Sequence, residues 1–320
     1  MKKFLLQFLL FVLPIALIAY STDLFVSKEL KTSKSYTAGE YSTWNDLYEG
    51  KINSDIVIYG SSRAWEHIDP TMIGDSLHTN AYNLGINGHT FWLQYLRHRV
   101  LLEYNKKPSL IIHSLDIFTL NKGQDLFNPD QFLPYMLYNK EMKNATIDYN
   151  GYHYLDYEVP MLRYYGKKDA LKIFAKLLLK QPGDSVMRIR GYQGRNEGWN
   201  TDFDEVRKKM NYYEAKFDTA SISLFEKYIQ ECQAKNIKII FVYTPEFIEG
   251  QKFIKNRDKL IALYNEFSKK YNIPFYDYSN DSICLERKYF YNNLHLNKAG
   301  AELFTAKLIH DIRPYYKAGE

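Results

Sequence analysis

A glycine followed by two serines, Gly60-Ser61-Ser62, comes directly after the apolar run Ile56-Val57-Ile58-Tyr59, and His295 stands just before the last helical pattern of the chain. Serine alone is a poor nucleophile and needs a base. An imidazole supplies one, and the two together are the minimum for acyl transfer through a serine ester. A glycine closing a strand lets the backbone turn sharply, so that the next hydroxyl sits at the opening of a helix, where amide N–H groups and the helix dipole stabilise developing oxyanion charge. Each signal alone has an ordinary reading, a turn or a structural histidine. Their weight depends on whether the fold brings them to one rim.

The elements that would do this can be read from periodicity. Short runs at 55–59, 81–84, 109–112, 237–243 and 273–276 read as strands, most of them β-branched and apolar on both faces. The last carries Pro274, which can donate no ladder bond and is tolerated near a strand start or at an edge. Helical patterns fill 91–104, 221–234, 257–270 and about 298–312, the last with Asn297 placed to cap it. Strands alternating with helices imply right-handed crossovers and a parallel sheet, hence a doubly wound α/β domain. About 125 residues separate Ile112 from Ile237, far more than one crossover needs, so 121–215 reads as a large, mostly helical insertion with its own helices, for instance 169–180. It holds a tyrosine-rich stretch at 149–165 and the segment Arg190-Gly191-Tyr192-Gln193-Gly194, and both a lid or partner surface and plain packing mass fit it.

In an open parallel sheet, ligands bind outside the carboxyl ends of the strands, where loops converge. Each expected strand here ends in a polar or glycine-containing segment: Gly60-Ser61-Ser62-Arg63, Gly85-Ile86-Asn87-Gly88-His89, Ser114-Leu115-Asp116, Thr244-Pro245-Glu246, and the run to His295. Five loops would share one edge. Arg63, beside the serines, is a candidate for binding an anionic substrate group, with an ion pair as the alternative.

These residues resemble the SGNH, or GDSL-like, hydrolases. Gly60-Ser61-Ser62 is similar to their first block, Asn83-Leu84-Gly85-Ile86-Asn87-Gly88 to their second, and Asn292-Asn293-Leu294-His295 occupies the place of their final Asp-x-x-His. The resemblance covers roughly 52–120 and 220–315 and implies a flavodoxin-like, three-layer α/β fold. It implies Ser62 as nucleophile with Ser61 as the fallback, the N–H groups of Ser62 and Gly88 as oxyanion donors, and His295 as the base. Two positions depart from the pattern. Asp116 stands where the third block normally places an asparagine donor, and Asn292 stands where an aspartate normally orients the histidine. An amide carbonyl still accepts the imidazole N–H, yet it stabilises imidazolium without charge, and in one serine protease the Asp-to-Asn change costs about 10⁴-fold. Asp277 and Asp281, upstream of His295, could stand in for it or be turn residues.

Composition removes other classes. The 320 residues carry 42 Lys and Arg against 37 Asp and Glu, a net charge of +5 spread without a basic stripe, which gives nucleic-acid binding no support. Two cysteines, Cys232 and Cys284, cannot build a disulfide framework, and neither they nor His67, His89 and His113 show metal-ligand spacing, so no metal and no cofactor are expected. The amino terminus is different in kind. Lys2 and Lys3 precede an apolar run, 4–20, broken only by Gln7 and Pro14, which reads as a transmembrane anchor or a signal sequence over 1–22, followed by a polar tether at 23–50. The α/β domain would then occupy 51–120 and 216–320. An anchor in a bacterial cell membrane, single-pass with the domain outside the cytoplasm, would give the enzyme access to an acylated glycan or related envelope polymer. The expected function is a serine esterase or O-acyltransferase on that substrate, held to the membrane by its amino-terminal helix, with a membrane acyltransferase as a further expected partner. The alternative is a catalytically silent binding or scaffold subunit that keeps the cleft.

Overall fold

The computed structural model describes every residue except Ser35, 182–187 and 318–320; that part of the expected insertion therefore lies outside the described residues. Two compact units form, Met1–Asn45 with Gly123–Met187, and Asp46–Lys122 with Arg188–Glu320.

The second unit holds a five-stranded parallel sheet, β1 (Ile56–Tyr59), β2 (Ala81–Asn83), β3 (Leu110–Leu115), β4 (Lys238–Tyr243) and β5 (Phe275–Asp277), in the order β2-β1-β3-β4-β5. This is the doubly wound order in which the chain changes direction between β1 and β3. The register places Ile56 beside both Ala81 and Leu110, and Leu110 beside Lys238. Both sheet faces are covered, which explains why the strands read as continuous apolar runs. Ile56, Ile58, Ile112, Ile240 and Val242 face a core shared with Ala64, Ile73, Phe304 and Leu308. On the alternate face Tyr59 and His113 meet an aromatic cluster in which the His113 ring lies 5.3 Å from Phe225 and 5.4 Å from Tyr228. The edge strand β5 begins just after Pro274, whose carbonyl accepts from Phe241 N (2.8 Å), so the nitrogen that can donate no ladder bond stands at the start of the strand, where its loss is tolerated.

Two expectations about organisation are corrected. The sheet unit reclaims 188–215, so the insertion ends well before Ala215. Residues 188–200 run as a strap pinned by main-chain bonds: Asn83 N to Arg190 O (2.9 Å), Gln193 N to Trp65 O (3.1 Å), Lys298 N to Arg195 O (2.7 Å) and Asn200 N to Tyr291 O (2.8 Å). Backbone pairing of this kind leaves little trace in hydropathy, which is why the segment reads as insertion.

The expected tether is the second correction. One helix runs unbroken over Lys2–Lys31, and the chain is helical again at Glu40–Tyr48. Asp23, Val26, Ser27 and Leu30 recur at helical spacing and are buried in the first unit. Arg163 grips Asp23 with two bonds of 2.7 Å and also donates to Ser27 Oγ (3.0 Å), while Met161 N reaches Asp23 Oδ2 (2.6 Å). The polar residues that suggest a solvated linker are thus partners in a buried network. Trp44, fully buried, completes the unit by bonding Gln131 and packing on Phe132. The helix's amino-terminal part, by contrast, is exposed and long and apolar enough to cross a membrane.

Candidate active site

The site begins with the tight passage of the chain out of β1. Gly60 adopts φ +145°, and a Cβ there would lie 2.7 Å from both Ser114 O and Ala64 Cβ, so the backbone can pass β3 this closely only without a side chain. The short helix Ser62–His67 starts immediately, with Ser61 as its N-cap. Asn83 locks this helix to the loop after β2, donating to Ala64 O and Ile68 O (2.8 Å each) and accepting from Gly85 N (2.9 Å).

The two serines have opposite surroundings. Ser61 is buried and its hydroxyl donates to the Asp116 carboxylate. Ser62 is partly exposed, and its Oγ lies 2.7 Å from His295 Nε2. The other ring nitrogen, Nδ1, is 3.0 Å from Asn292 Oδ1, which also accepts the backbone N–H groups of Leu294 (3.0 Å) and His295 (2.9 Å). A carbonyl oxygen only accepts, so Nδ1 carries the proton and Nε2 is the acceptor for the Ser62 hydroxyl. Sequence positions 233 apart are thereby joined in a serine–imidazole–amide relay. Desolvation, reinforced by the charges of Arg63 and Arg195, holds the imidazole down to about 3, which keeps it neutral and able to accept a proton over the ordinary pH range.

Further residues hold the imidazole in place. The Tyr291 ring stacks on it, centroids 5.3 Å apart and planes within 10°. Tyr291 OH donates to Glu66 Oε2 (2.5 Å), and Arg195 Nε to Glu66 Oε1 (2.9 Å). Burial pushes the Glu66 carboxyl up, against the pull of Tyr291 and Arg195. Behind the ring, His67 Nε2 accepts from Leu296 N (2.9 Å), so its Nδ1 is the donor to Thr244 Oγ1 (3.0 Å). His67 thus ties the residue after His295 to the end of β4, and burial holds it far below the usual imidazole range. None of Glu66, His67, Tyr291 or Arg195 stands out as a site residue from the sequence alone. The available signal was that Glu66 and His67 share a six-residue helix with Ser62.

Other expected site residues take different places. Arg63 is a correction: it is buried, with Nη1 2.6 Å from Glu246 Oε1 and Nε 3.1 Å from Thr244 Oγ1, and Tyr243 lies under its guanidinium. Its donors face the protein interior, so it cannot receive a substrate anion from solvent. Asp116 is no donor to an oxyanion either. Its carboxylate accepts from Ser61, from Phe118 N (2.7 Å) and from Thr119, turning the loop after β3 and steadying the cap of the Ser62 helix. Gly88 sits in the exposed turn after β2 with φ +70°. Asp281 caps Ile283 and pairs with Lys307, and Asp277 accepts from Ser279 N, so both serve turns. His113 bonds Tyr228 and Gln94 inside the core, and Gln94 reaches the carbonyl of buried His89. Among the described residues no cluster of His, Cys, Asp or Glu could hold a metal ion, and Cys232 and Cys284 are buried free thiols pushed up by desolvation.

Three of the solved structures similar to this chain are described as a GDSL-like lipase, a lipolytic protein and an acylhydrolase. A GDSL-like lipase from Bacteroides thetaiotaomicron is 14% identical, matching over 87% of this chain and 98% of its own with a TM-score of 0.38. A lipolytic protein of the G-D-S-L family from Desulfitobacterium hafniense is 12% identical over 80% of this chain and 98% of its own, TM-score 0.37. An acylhydrolase from Bacteroides fragilis is 13% identical over 85% and 94%, TM-score 0.35. No protein-family model and no curated protein sequence matches the chain. The chemistry of the site therefore stands on its own geometry.

Proposed function

We propose that this chain is a serine acyl hydrolase or O-acyltransferase of the SGNH type. The observation that carries the reading is the 2.7 Å contact between Ser62 Oγ and His295 Nε2, with the opposite ring nitrogen held on Asn292 Oδ1. In this mechanism Nε2 takes the hydroxyl proton as Ser62 attacks the acyl carbonyl, and the N–H groups of Ser62 and Gly88 receive the oxyanion. The imidazolium then protonates the departing alcohol and, neutral again, activates the incoming hydroxyl of water or of a sugar. Both outcomes use one acyl-serine intermediate. Asn292 orients the ring, while the stacked Tyr291, polarised by Glu66, faces the charge that forms on it.

The proposed substrate class rests on location alone: with the amino-terminal helix as a single span in a bacterial cell membrane and the catalytic unit outside the cytoplasm, the enzyme would reach acylated glycans or related polymers of the envelope, and a membrane acyltransferase is the proposed acyl source. A second reading, a catalytically silent scaffold, is favoured by one specific observation: a neutral amide rather than a carboxylate backs an imidazole whose basicity is already depressed.

A fluorophosphonate probe separates the two. Wild type and Ser61→Ala should be labelled, whereas Ser62→Ala and His295→Ala should not. Absence of labelling in folded wild-type protein would establish the scaffold reading, and labelling that survives in Ser62→Ala would move the nucleophile elsewhere.

A further inference from the structure

The first unit contains a helix with three stripes instead of two. Along Lys168–Leu178, Ala170, Ile173, Phe174 and Leu177 are wholly or partly buried against the protein. Lys168, Lys172 and Lys176 form a charged, exposed ridge at i, i+4, i+8. Between these stripes lies a third, Leu171, Ala175 and Leu178, which is apolar and exposed; Leu171 is 39% and Leu178 47% accessible, and the following Leu179 is 69%. A helix that merely packs on a soluble domain needs only an apolar stripe and a polar one. An exposed apolar stripe bordered by lysines is the pattern of a helix lying in a membrane interface.

The position of the helix says which surface this is. Phe174 meets Phe25 of the amino-terminal helix edge-on, centroids 5.6 Å apart. Phe25 lies five residues beyond Tyr20, where the apolar run ends, about 7 Å along a helix at 1.5 Å per residue. If the run spans the bilayer, the Lys168–Leu178 helix sits at headgroup depth, where interfacial helices bury their apolar faces by roughly 5–10 Å. Tyr165, 88% exposed just before this helix, belongs to the residue types that favour that zone.

We propose that the Lys168–Leu178 helix is a second membrane contact that lies on the bilayer surface, with Leu171 and Leu178 in the acyl boundary and the lysine ridge on anionic lipid headgroups. The proposal rests on the reading of the amino-terminal helix as a membrane span. It assigns part of the inserted region to the lipid surface and fixes the roll of the first unit about its anchor.

The test uses the full chain reconstituted in phosphatidylcholine vesicles with and without phosphatidylglycerol. Nitroxides are attached in turn at Leu171→Cys, Leu178→Cys, Lys172→Cys and, as a depth control, Leu10→Cys; native Cys232 and Cys284 are buried. Labels at 171 and 178 should be accessible to oxygen and shielded from a water-soluble nickel chelate, the label at 172 should show the reverse, and phosphatidylglycerol should deepen the shielding. Nickel access at 171 and 178 with Leu10→Cys in lipid overturns this proposal alone. Nickel access at all four positions overturns the anchor reading with it.

Discussion

The six residues Ser62–His67 feed two hydrogen-bonded networks that differ in almost every physical respect. On the open side, Ser62, His295 and Asn292 form a chain of neutral groups with bonds of 2.7 and 3.0 Å. On the buried side, Arg63 and Glu246 form an ion pair at 2.6 Å, with Thr244 and His67 completing the cluster. One helix therefore supplies a mobile proton to the rim and a fixed charge to the interior. The contrast teaches why the imidazole is so weak a base: it lies in a desolvated place near the positive charge of Arg63 and has an amide, not a carboxylate, on its far nitrogen. Stability and reactivity ought then to be separable by mutation on this helix's two sides.

The largest effect should come from forcing that separation. Glu246→Gln leaves the Arg63 guanidinium buried without its counter-ion, and losing one partner of such a pair typically costs about 3–5 kcal/mol. Arg257, 3.7 Å from Glu246, would lose a partner as well. Urea denaturation should show that loss, while the protein that remains folded keeps its reaction with fluorophosphonate. His295→Ala should behave in the opposite sense, unfolding close to wild type and turning over esters slower by about 10³-fold or more. If Glu246→Gln unfolds at the wild-type urea concentration, the buried cluster is not the structural element described here.

How far this contrast could be read from sequence depends on the kind of interaction. Strands β1, β3 and β4, buried on both faces, announce themselves as apolar runs, and the helix Phe91–Tyr104 is legible from its pattern. The pairing of Ser62 with His295 was inferable because both flank carboxyl ends of strands, where the topology forces convergence. What stayed hidden depends on side-chain direction. Arg63 and Ser62 are adjacent in sequence, yet one points to solvent and the other to the interior, and no periodicity in a six-residue helix reports which. Asp116 was equally opaque, since a carboxylate that terminates a loop and one that meets a substrate have the same neighbours in sequence. The strap 188–200 and the buried Asp23–Arg163 pair are illegible for another reason: both rest on polar contacts across long separations, invisible to hydropathy.

The neutral side of the comparison is sharpened by restoring a charge. Asn292→Asp would place a carboxylate 3.0 Å from His295 Nδ1 and favour imidazolium, raising the imidazole's basicity from about 3. Because His295 is neutral in the folded protein, the acidic limb of the rate profile should lie near pH 3 rather than near the ordinary 6.5. The variant should move that limb upward and raise turnover about tenfold or more. Stability carries the same sign: the unfolded chain protonates His295 near 6.5 while the native chain does not, so stability is lost as pH falls from 6.5 toward 3. An unchanged limb in Asn292→Asp would mean that another group sets the basicity of His295.

The smallest effect should separate the two parts of Tyr291. Its ring covers one face of the imidazole, and its hydroxyl bonds Glu66, which draws negative charge toward the ring. Tyr291→Leu removes the π-face on which a developing imidazolium would rest, an interaction of about 0.5–2 kcal/mol, or roughly two- to thirty-fold in rate. Tyr291→Phe keeps the stack and removes only the hydroxyl, so its loss should be a fraction of that. A packing role alone would give the reverse pattern in one respect: both variants would change thermal stability, but neither would shift the acidic limb of the rate profile. If the ring stabilises charge, Tyr291→Leu should lower that limb further, because imidazolium becomes less favourable, and the shift should grow in an Asn292→Asp background where the limb begins higher and is easier to measure.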